Sequence, residues 1–331
     1  MASAADTGIV DAHIHLYPAE VAADPAAWGR AQGEPGWTRC VVPAGGRSIQ
    51  GWADPGALIA DMDEAGVGAC VVQGWYWERQ ETCDLQNGWH AQWIRSHPGR
   101  LLGFAAVQPA AGAKALDALE RALDSGLCGV GEILPQAQGF DLGGPWWRRV
   151  VATAIRRGVP ITLHATDPEA GPKAGPPTPL DAYLRLAREY PEAKLILAHW
   201  GGGLALREPP PRDELPPNLY FDTAASPLLY DPGVFRRAVD RVGAGRILYG
   251  SDYPLLLYPR QVRRPGFRRF LDEISGAGLK ADEREAILGS NVRRLLPPGT
   301  RAGGRPKAET RGEARSSWPA PGRGRPAGPP S

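Results

Sequence analysis

Short apolar runs alternate with amphipathic stretches along most of the chain, as expected of repeated strand–helix units and a parallel sheet. Eight apolar runs predict strands, at residues 8–15, 69–74, 101–108, 129–134, 160–165, 194–199, 219–223 and 246–252. Seven amphipathic stretches predict the helices between them, at residues 55–65, 85–97, 113–125, 146–157, 180–190, 232–242 and 267–275. Eight units in about 290 residues match the size of a (β/α)₈ TIM barrel, so we predict this α/β fold for residues 1–296.

The structural alternative is a doubly wound open sheet. That fold usually carries a Gly-rich phosphate loop after its first strand. Here the first strand ends in His13 and His15 instead. The strand endings therefore favour the barrel.

Residues 16–54 form the longest predicted connection, and they contain Trp28, Trp37 and Trp52 among many prolines and glycines. This segment is too long for an ordinary βα loop, and a solvated loop would not normally expose three tryptophans. We therefore predict a lid or pocket wall inserted after strand 1, with a solvated insertion as the alternative. A second stretch, 209–217, predicts a turn-rich spacer.

The composition is that of a globular protein, with 331 residues of which 43% are hydrophobic and 22% charged. No apolar run approaches the roughly 18 residues of a membrane helix, and the first residues lack a basic, apolar leader. We therefore expect a soluble, cytoplasmic protein. The four cysteines show no C-x-x-C spacing, and the apolar surroundings of Cys70 and Cys128 predict buried free thiols.

The C-terminal residues 297–331 differ from the rest in charge and composition. They carry seven Lys and Arg against two Glu, a balance of +5 that leaves −3 on the remainder of a chain with net charge +2. A Pro, Gly, Arg and Ala-rich segment without an apolar face cannot offset its ordering entropy, so we predict a disordered tail. A nucleic-acid-binding arm is the functional alternative, and the acidic remainder argues against it.

Histidines and carboxylates gather at the ends of the predicted strands. In Asp11-Ala12-His13-Ile14-His15, strand alternation places both imidazoles on one face and Ala12 and Ile14 on the other. Four further metal-competent side chains lie in or at the ends of other runs: Glu132, His164, His199 and Asp252. Barrel enzymes assemble their active sites from these strand ends, so the set predicts a metal site.

The alternative is that each of these residues has a separate structural role, as a core histidine, a helix cap or a buried ion pair. Four of the six histidines lie at the ends of three apolar strands, which favours the joint interpretation because unpaired buried polar groups are costly. The other two, His90 and His97, lie in a helical stretch and are predicted to be surface or cap residues.

Taken together, these motifs resemble the amidohydrolase superfamily, and specifically the amidohydrolase-related branch that includes aminocarboxymuconate semialdehyde decarboxylase and related aromatic-acid decarboxylases. The matching features are the D-x-H-x-H opening, His164 after strand 5, His199 followed by Gly201 to Gly203, the G-S-D-Y-P turn at 250–254, and a closing helix around 287–292. The resemblance implies that His13, His15, His164 and Asp252 hold one divalent ion and that His199, with Asp252, is catalytic.

Glu132 leaves a choice between branches. TatD-like deoxyribonucleases, which this part of the chain also resembles, carry a glutamate after glycine at strand 4 that bridges two metals. Their Gly-Leu-Asp continuation is absent here, where Ile133, Leu134 and Pro135 follow. A second metal bridged by Glu132 therefore remains the alternative, and the nuclease is a secondary one.

Three imidazoles and a carboxylate suit Zn²⁺ best, with Mn²⁺ or Fe²⁺ as alternatives. Such a site activates water, so we predict a metal-dependent hydrolase acting on a small cyclic or carboxylated substrate, with nonoxidative decarboxylation as the close alternative. A non-catalytic metal-binding barrel is the third hypothesis. A symmetric homodimer is the default expectation.

Candidate substrate contacts come from aromatic and arginine residues after the strands. The predicted pocket aromatics are Trp75, Tyr76, Trp77, Trp200 and Tyr253, with core packing as the alternative. A decarboxylase would need an arginine to bind a carboxylate, and the candidates are Arg47, Arg260 and Arg263, with surface positions as the alternative.

Overall fold

The computed structural model describes residues 8–44, 48–167, 178–207, 215–258 and 262–303. Its strands are short and parallel: β1 (Val10–Ile14), β2 (Ala69–Val72), β3 (Leu101–Gly103), β4 (Val130–Ile133), β5 (Ile161–Leu163), β6 (Leu195–Leu197), β7 (Leu219–Asp222) and β8 (Ile247–Leu248). They form one sheet of order β1-β2-β3 and one of order β4-β5-β6-β7-β8. Parallel bridges between Ala105 and Val130 and between Ile14 and Tyr253 join the two sheets, which confirms the predicted closed (β/α)₈ barrel.

The helices between strands follow the predicted amphipathic stretches closely. They span Pro55–Ala65, Gln80–Ser96, Ala113–Asp124, Pro145–Arg157, Leu180–Glu189, Val234–Val242 and Arg268–Gly276. Local sequence explains such boundaries: Asp54 accepts a hydrogen bond from the Ala57 N–H at 2.8 Å, and Gly66 ends the same helix with φ 74°. The largest difference lies after β2, where the helix begins at Gln80 rather than at the predicted residue 85.

Shorter turns of helix complete the chain between these elements. They lie at Pro135–Gln138, Ser226–Leu229, Ala281–Glu285 and Asn291–Leu295, with 3₁₀ turns at Pro109–Ala111 and Ala244–Arg246 and a π-helical turn at Ala286–Ser290. None of the helices in the described part of the chain is long and apolar enough to span a membrane.

The core has an outer layer between strands and helices and an inner layer inside the barrel. In the outer layer Val130, Ile161 and Leu195 pack among buried helix residues such as Trp147 and Phe235. The inner layer at the other end from the site is apolar, because residues from several strands pack against the closing helix: Val10, Val71, Leu102, Ile196, Leu248, Val292 and Leu295. The barrel is therefore filled at its base, and only its carboxyl end is open for a site.

Two strands carry irregularities where the candidate site residues lie. The pairing register with the neighbouring strand changes between Asp11 and Ile14 in β1 and between Val130 and Ile133 in β4. The strict alternation predicted for β1 is therefore wrong, because Ala12 packs with Val10 inside the barrel while Ile14 packs with Leu58 and other outer residues. Such a register shift is typical of a β-bulge, in which an extra residue in one strand changes the direction of the following side chain. In β1 this irregularity turns His13 toward the interior of the barrel.

The insertion after β1 is a folded wall. It contains helices at Ala19–Ala23, Pro25–Gln32 and Pro35–Val41. Its tryptophans pack together around one centre, with ring centroids of Trp28 and Trp37 at 5.1 Å and a hydrogen bond from Trp37 Nε1 to the Tyr17 hydroxyl at 3.1 Å. The buried Glu34 carboxylate accepts the backbone N–H groups of Glu78 and Arg79, which fastens the insertion to the loop after β2.

The C-terminal end of the barrel extends past the predicted tail boundary at 297. Ala302 is buried against the inner core, and the Gly303 N–H donates to the Gly99 carbonyl at 2.8 Å. The barrel therefore includes residues 297–303, which were predicted to belong to the tail. Their composition did not indicate these contacts with the barrel. The tail beyond them, 304–331, and most of the spacer at 209–217 lie outside the described residues.

Candidate active site

The strand ends bring all the predicted metal-competent residues to one end of the barrel. His13 lies in β1 and His15 directly after it, Glu132 lies in β4, and His164 follows β5. The strands are shorter than predicted, so the last two candidates lie beyond them: His199 is in the short helical turn Ala198–Gly202, two residues past β6, and Asp252 is four residues past β8. Six side chains from five strands thus meet at the carboxyl end, as the barrel fold requires for a site.

Donor atoms of His13, His15 and Asp252 form a compact first group, and one carboxylate oxygen of Glu132 lies beside the two histidines. The Nε2 atoms of His13 and His15 lie 3.2 Å apart. Asp252 Oδ1 lies 3.8 and 3.5 Å from these two nitrogens, and Glu132 Oε2 lies 3.8 and 3.7 Å from them. Four ligands about 2.1 Å from one ion lie about 3.4 Å apart in a tetrahedron, so the spacing and chemistry of these donors fit a divalent ion.

The other carboxylate oxygen of Glu132 faces a second group. Oε1 lies 2.8 Å from His164 Nδ1 and 3.6 Å from His199 Nε2. The rings of His164 and His199 pack edge to face with centroids 4.8 Å apart, and His164 Nε2 is 3.1 Å from the Thr166 hydroxyl. The geometry thus associates His164 with Glu132 and His199, whereas the resemblance grouped it with His13, His15 and Asp252.

Asp222 is a buried site residue that the sequence analysis missed. Its Oδ2 accepts a hydrogen bond from His13 Nδ1 at 2.8 Å, and its Oδ1 accepts the backbone N–H groups of His199 and Ala224, each at 3.0 Å. This contact fixes the tautomer of His13, so the Nε2 lone pair faces the first group. The available signal was a carboxylate at the end of the seventh apolar run, the same signal that identified Asp252.

Left-handed backbone conformations occur at the site. His199 has φ 55° and Asp252 has φ 62°, which is unusual for residues with side chains. After His199, Gly202 has φ 60°, and a Cβ there would meet the Thr166 backbone at 2.9 Å. Gly202 therefore allows close packing of backbone on backbone beside the site.

Burial and neighbouring charges shift the protonation of the whole cluster. Burial by itself lowers the pKa of His13, but the Asp222 and Glu132 carboxylates outweigh it and raise the pKa to about 10. Burial likewise opposes protonation of His199, yet its hydrogen bond to Glu132 and the Asp252 charge raise its pKa to about 9. The carboxylates therefore make the base of the cavity electronegative, which suits a cation.

Other members of the cluster shift the opposite way. Burial and then the charge of His13 lower the pKa of His15 to about 3. Burial raises the pKa of Asp252 to about 6, against the effect of His13. Burial also favours protonation of Glu132, but the His164 and His13 charges hold its pKa well below the usual range.

A cavity of about 510 Å³ opens above these groups. Trp75 and Tyr76 line one wall, stacked with centroids 4.3 Å apart, and the Tyr76 ring lies 5.3 Å from that of His164. Cys40, Ile49 and Gln50 of the insertion line the cavity too, so the insertion supplies part of its wall. A cavity of this size accommodates a small organic molecule.

Three predicted pocket aromatics are core residues instead. Trp77 is fully buried in the aromatic cluster of the insertion, 5.5 Å from Trp28 between ring centroids. Trp200 is buried against Phe235, and Tyr253 stacks on Phe267 at 4.8 Å while its hydroxyl donates to Asp61. Their large apolar surfaces satisfy packing, which a linear sequence does not distinguish from lining a pocket.

The arginine candidates are not among the described residues that line the cavity. Arg263 is exposed, and Arg47 and Arg260 lie outside the described residues. Across the described lining there is no Lys or Arg, so histidines are its only side chains that become positively charged on protonation.

The two histidines outside the cluster, His90 and His97, lie in different surroundings. His97 ends the helix Gln80–Ser96, as a cap residue, with Nδ1 3.2 Å from the Trp93 carbonyl. The surface or cap prediction for His90 is wrong, because this residue is fully buried and its Nδ1 lies 2.9 Å from the Phe104 carbonyl. Burial lowers the pKa of His90 to about 4. A helix face that packs on β3 hides it from solvent.

Fold and site together define a (β/α)₈-barrel enzyme with a polar cluster of histidines and carboxylates at its carboxyl end. A sequence model of the family described as Amidohydrolase matches residues 10–297, nearly the whole described barrel. The chain belongs to the amidohydrolase family.

Solved structures with the same fold include both decarboxylases and a hydrolase. A 5-carboxyvanillate decarboxylase from Sphingomonas paucimobilis is 17% identical, with a TM-score of 0.64 over 87% of this chain and 98% of that one. A dihydroxybenzoic acid decarboxylase from Polaromonas, with bound manganese and 2-nitroresorcinol, is 19% identical with a TM-score of 0.60 over 87% and 96%. A probable 2-pyrone-4,6-dicarboxylic acid hydrolase from Acinetobacter baumannii is 16% identical with a TM-score of 0.58 over 87% and 99%.

Proposed function

We propose that this protein is a metal-dependent hydrolase that attacks a small uncharged substrate, an ester, lactone or amide, with an activated water. The observation that carries this proposal is that two adjoining groups of metal-competent donors lie at the base of a cavity whose lining has no Lys or Arg among its described residues. Three buried carboxylates near the base, those of Glu132, Asp222 and Asp252, disfavour an anionic substrate.

The spacing of the donor atoms supports one ion held by His13, His15, Asp252 and Glu132. The resemblance implies His164 as the fourth ligand in place of Glu132, so the two assignments differ at one position. Zn²⁺ suits this donor set best, and Mn²⁺ or Fe²⁺ are alternatives that carboxylates also accept. When bound, the ion supplies Lewis acidity that lowers the pKa of water toward about 7.

The residues around the donors provide the proton transfers. Asp252 lines the cavity beside His13 and His15, where its carboxylate accepts a proton from the attacking water. The Nδ1 of His199 lies 3.1 Å from the Ala224 carbonyl, so the N–H is held there and Nε2 faces the cluster. In this orientation Nε2 donates a proton to the leaving group when the imidazole is protonated.

The cavity walls orient the substrate. Trp75 and Tyr76 offer flat apolar faces beside His15 and His164. A ring or planar carbonyl group placed on these faces lies next to the histidines without a charged contact. Burial of donors such as His13 and Glu132 strengthens their electrostatic interactions with the reacting carbonyl relative to those in water.

Turnover of matched substrates tests the reaction class. Purified protein is depleted of metal, reloaded with Zn²⁺ or Mn²⁺, and assayed with aryl esters, aromatic lactones and anilides, and separately with dihydroxybenzoates for release of CO₂. We expect hydrolysis that depends on metal and falls at least about 100-fold in His199→Ala. Release of CO₂ without ester, lactone or anilide cleavage would assign the chain to the second candidate.

That second candidate is nonoxidative decarboxylation of an aromatic acid. The aromatic wall of Trp75 and Tyr76 favours a ring-bearing substrate, and two of the structural neighbours are described as decarboxylases of aromatic acids. The electronegative base of the cavity favours hydrolysis over it, because a carboxylate substrate would meet Glu132 and Asp252 without a described arginine to bind it.

A further inference from the structure

We propose that the mouth of the cavity is a binding subsite for the hydrocarbon chain of the substrate, so that the protein acts on amphiphilic esters, lactones or amides. This inference rests on the proposed hydrolytic function. It adds the substrate class, namely molecules with a hydrolysable group at one end and an uncharged acyl or alkyl chain at the other.

Exposed apolar side chains concentrate in the loops that form the mouth. Within the described residues, six large hydrophobic side chains are exposed, and five belong to these loops: Val42, Ile49, Leu229, Tyr258 and Val262. Ile49 and Leu229 are each 44% exposed and also line the cavity. The sixth, Leu85, lies on the helix Gln80–Ser96. Scattered exposed leucines need no explanation, but a group continuous with a cavity marks a binding surface.

The loops that carry these residues are tied together by hydrogen bonds. The Leu256 N–H, in the loop after β8, donates to the Ile49 carbonyl of the insertion at 2.7 Å. The Tyr258 hydroxyl donates to the Pro227 carbonyl, in the loop after β7, at 2.9 Å. These two contacts between described parts of the loops form without a ligand, so binding a chain there does not require their ordering.

The cavity has both polar and apolar lining. His15, Glu132, His199 and Asp252 belong to the buried cluster, Ile49, Leu228, Leu229 and Leu255 are apolar, and Gln50, Asp167 and Tyr230 are further polar members of the wall. A single occupant that contacts both the cluster and the leucines has a polar reacting group and an apolar chain. Because Ile49 and Leu229 belong to both the cavity wall and the exposed mouth, the occupant extends from the cavity across the mouth.

A chain-length series measures this directly. The metal-loaded enzyme is assayed with p-nitrophenyl acetate, butyrate, hexanoate and octanoate, and kcat/KM is compared. We expect kcat/KM to rise about twofold or more per methylene, as partial burial of each added group predicts. In the double variant Ile49→Asn/Leu229→Asn this increase should flatten, with the octanoate-to-acetate ratio at least about tenfold lower. Leu85→Asn, an equally exposed leucine elsewhere, is the matched control and should keep the wild-type ratio.

Binding of an unreactive probe separates the subsite from the chemistry. The neutral fluorophore N-phenyl-1-naphthylamine is titrated into wild type, the double variant and Leu85→Asn, with sedimentation velocity on the same samples. We expect about tenfold weaker binding in the double variant only, and the same sedimentation coefficient for all three proteins.

The outcomes distinguish the two proposals. Ester hydrolysis with no dependence on chain length, and equal probe binding by all three proteins, would overturn the subsite and leave the hydrolase standing. Probe binding that the double variant loses, without turnover of any ester, would overturn the hydrolase and leave the subsite. A wild-type dimer that the double variant converts to a monomer would assign the mouth to a second copy of the chain, and would also overturn the subsite.

Discussion

At the scale of single residues, one carboxylate links the two halves of the candidate site. Asp222 holds the ring of His13 with one oxygen and the backbone of His199 with the other. A buried carboxylate that accepts a hydrogen bond from an imidazole raises the basicity of that imidazole and fixes the orientation of the ring. Its contribution is therefore to binding of the ion and not to contact with substrate.

Asp222→Asn should weaken metal binding about 10- to 100-fold while the fold is kept, because the amide retains the shape but not the charge that orients His13. Equilibrium titration with Zn²⁺ measures the affinity, and circular dichroism the fold. Asp240→Asn, which changes an exposed carboxylate paired with Arg236, is the matched control. Unchanged affinity in Asp222→Asn would contradict the positioning role.

The identity of the fourth ligand is a second prediction at this scale. Glu132→Ala should lose the bound ion, because Oε2 lies 3.7 to 3.8 Å from the His13 and His15 nitrogens. His164→Ala should keep the ion with reduced affinity, since in our assignment the ring orients Glu132 through its 2.8 Å contact. Elemental analysis of each purified variant counts Zn, Mn and Fe per chain.

The contrary results are equally informative. Loss of the ion in His164→Ala with retention in Glu132→Ala would establish the ligand set that the family resemblance implies. Two ions per wild-type chain would make Glu132 a bridge between the two groups of donors.

His199 gives a third prediction. His199→Ala should retain the ion and lose about 100- to 10,000-fold in kcat, the range expected on removing a general acid. The measurement is kcat on the best aryl ester together with the metal content of the same sample. Loss of the ion together with activity would make His199 a ligand instead.

At the scale of elements, the insertion behaves as a small packed unit attached to the barrel. Trp37 is 2% exposed and contacts Tyr17, Trp28, Trp52 and Trp77, so it is the centre of that unit. The insertion also carries Ile49 and Gln50 into the cavity. Its packing therefore determines one wall of the site.

Trp37→Ala should destabilise this unit by about 3–5 kcal/mol, the usual effect of removing a large buried ring. Hydrogen exchange should show loss of protection across 19–41, while the barrel strands stay protected. Trp146→Ala, at a half-buried tryptophan that lies under Arg149, is the control and should leave the insertion unchanged. Uniform loss of protection over the whole chain would show that the insertion and barrel unfold together.

At the scale of the whole molecule, the barrel has an apolar base and a polar carboxyl end. The closing helix Asn291–Leu295 and Ala302 cover the base, so apolar burial supports the fold independently of the site. Buried ionisable groups outside the site then connect fold stability to pH. His90 is the clearest case because it is buried beside β3 and belongs to no candidate ligand group.

Burial lowers the pKa of His90 from 6.5 to about 4, so between these values the unfolded chain binds the proton that the folded chain excludes. The free energy of unfolding is therefore not reduced by His90 above pH 6.5. As the pH falls from 6.5 toward 4, it decreases by up to about 3 kcal/mol because the unfolded chain binds the extra proton. Urea unfolding at several pH values should show a smaller acid-side decline in His90→Phe than in wild type. His97→Gln is the control, and an equal decline in wild type and His90→Phe would contradict the assignment.

Much of this molecule follows from short-range patterns. Helix boundaries such as Pro55–Ala65 follow from a capping Asp54 and a left-handed Gly66, and strand positions follow from apolar runs. The candidate cluster was predictable because the carboxyl ends of parallel strands meet at one end of a barrel, so His13, His15, His164 and Asp252 had to be neighbours.

The sequence by itself thus determined the barrel, the end at which the site lies and most of its residues, because periodicity and strand order are local properties of the chain. Only the tertiary structure decided how the donors divide into groups, because register shifts in β1 and β4 turn His13 and Glu132 inward. It also decided that Asp222 supports His13 and that Trp77, Trp200 and Tyr253 are core, since contacts between residues far apart in sequence depend on packing in three dimensions.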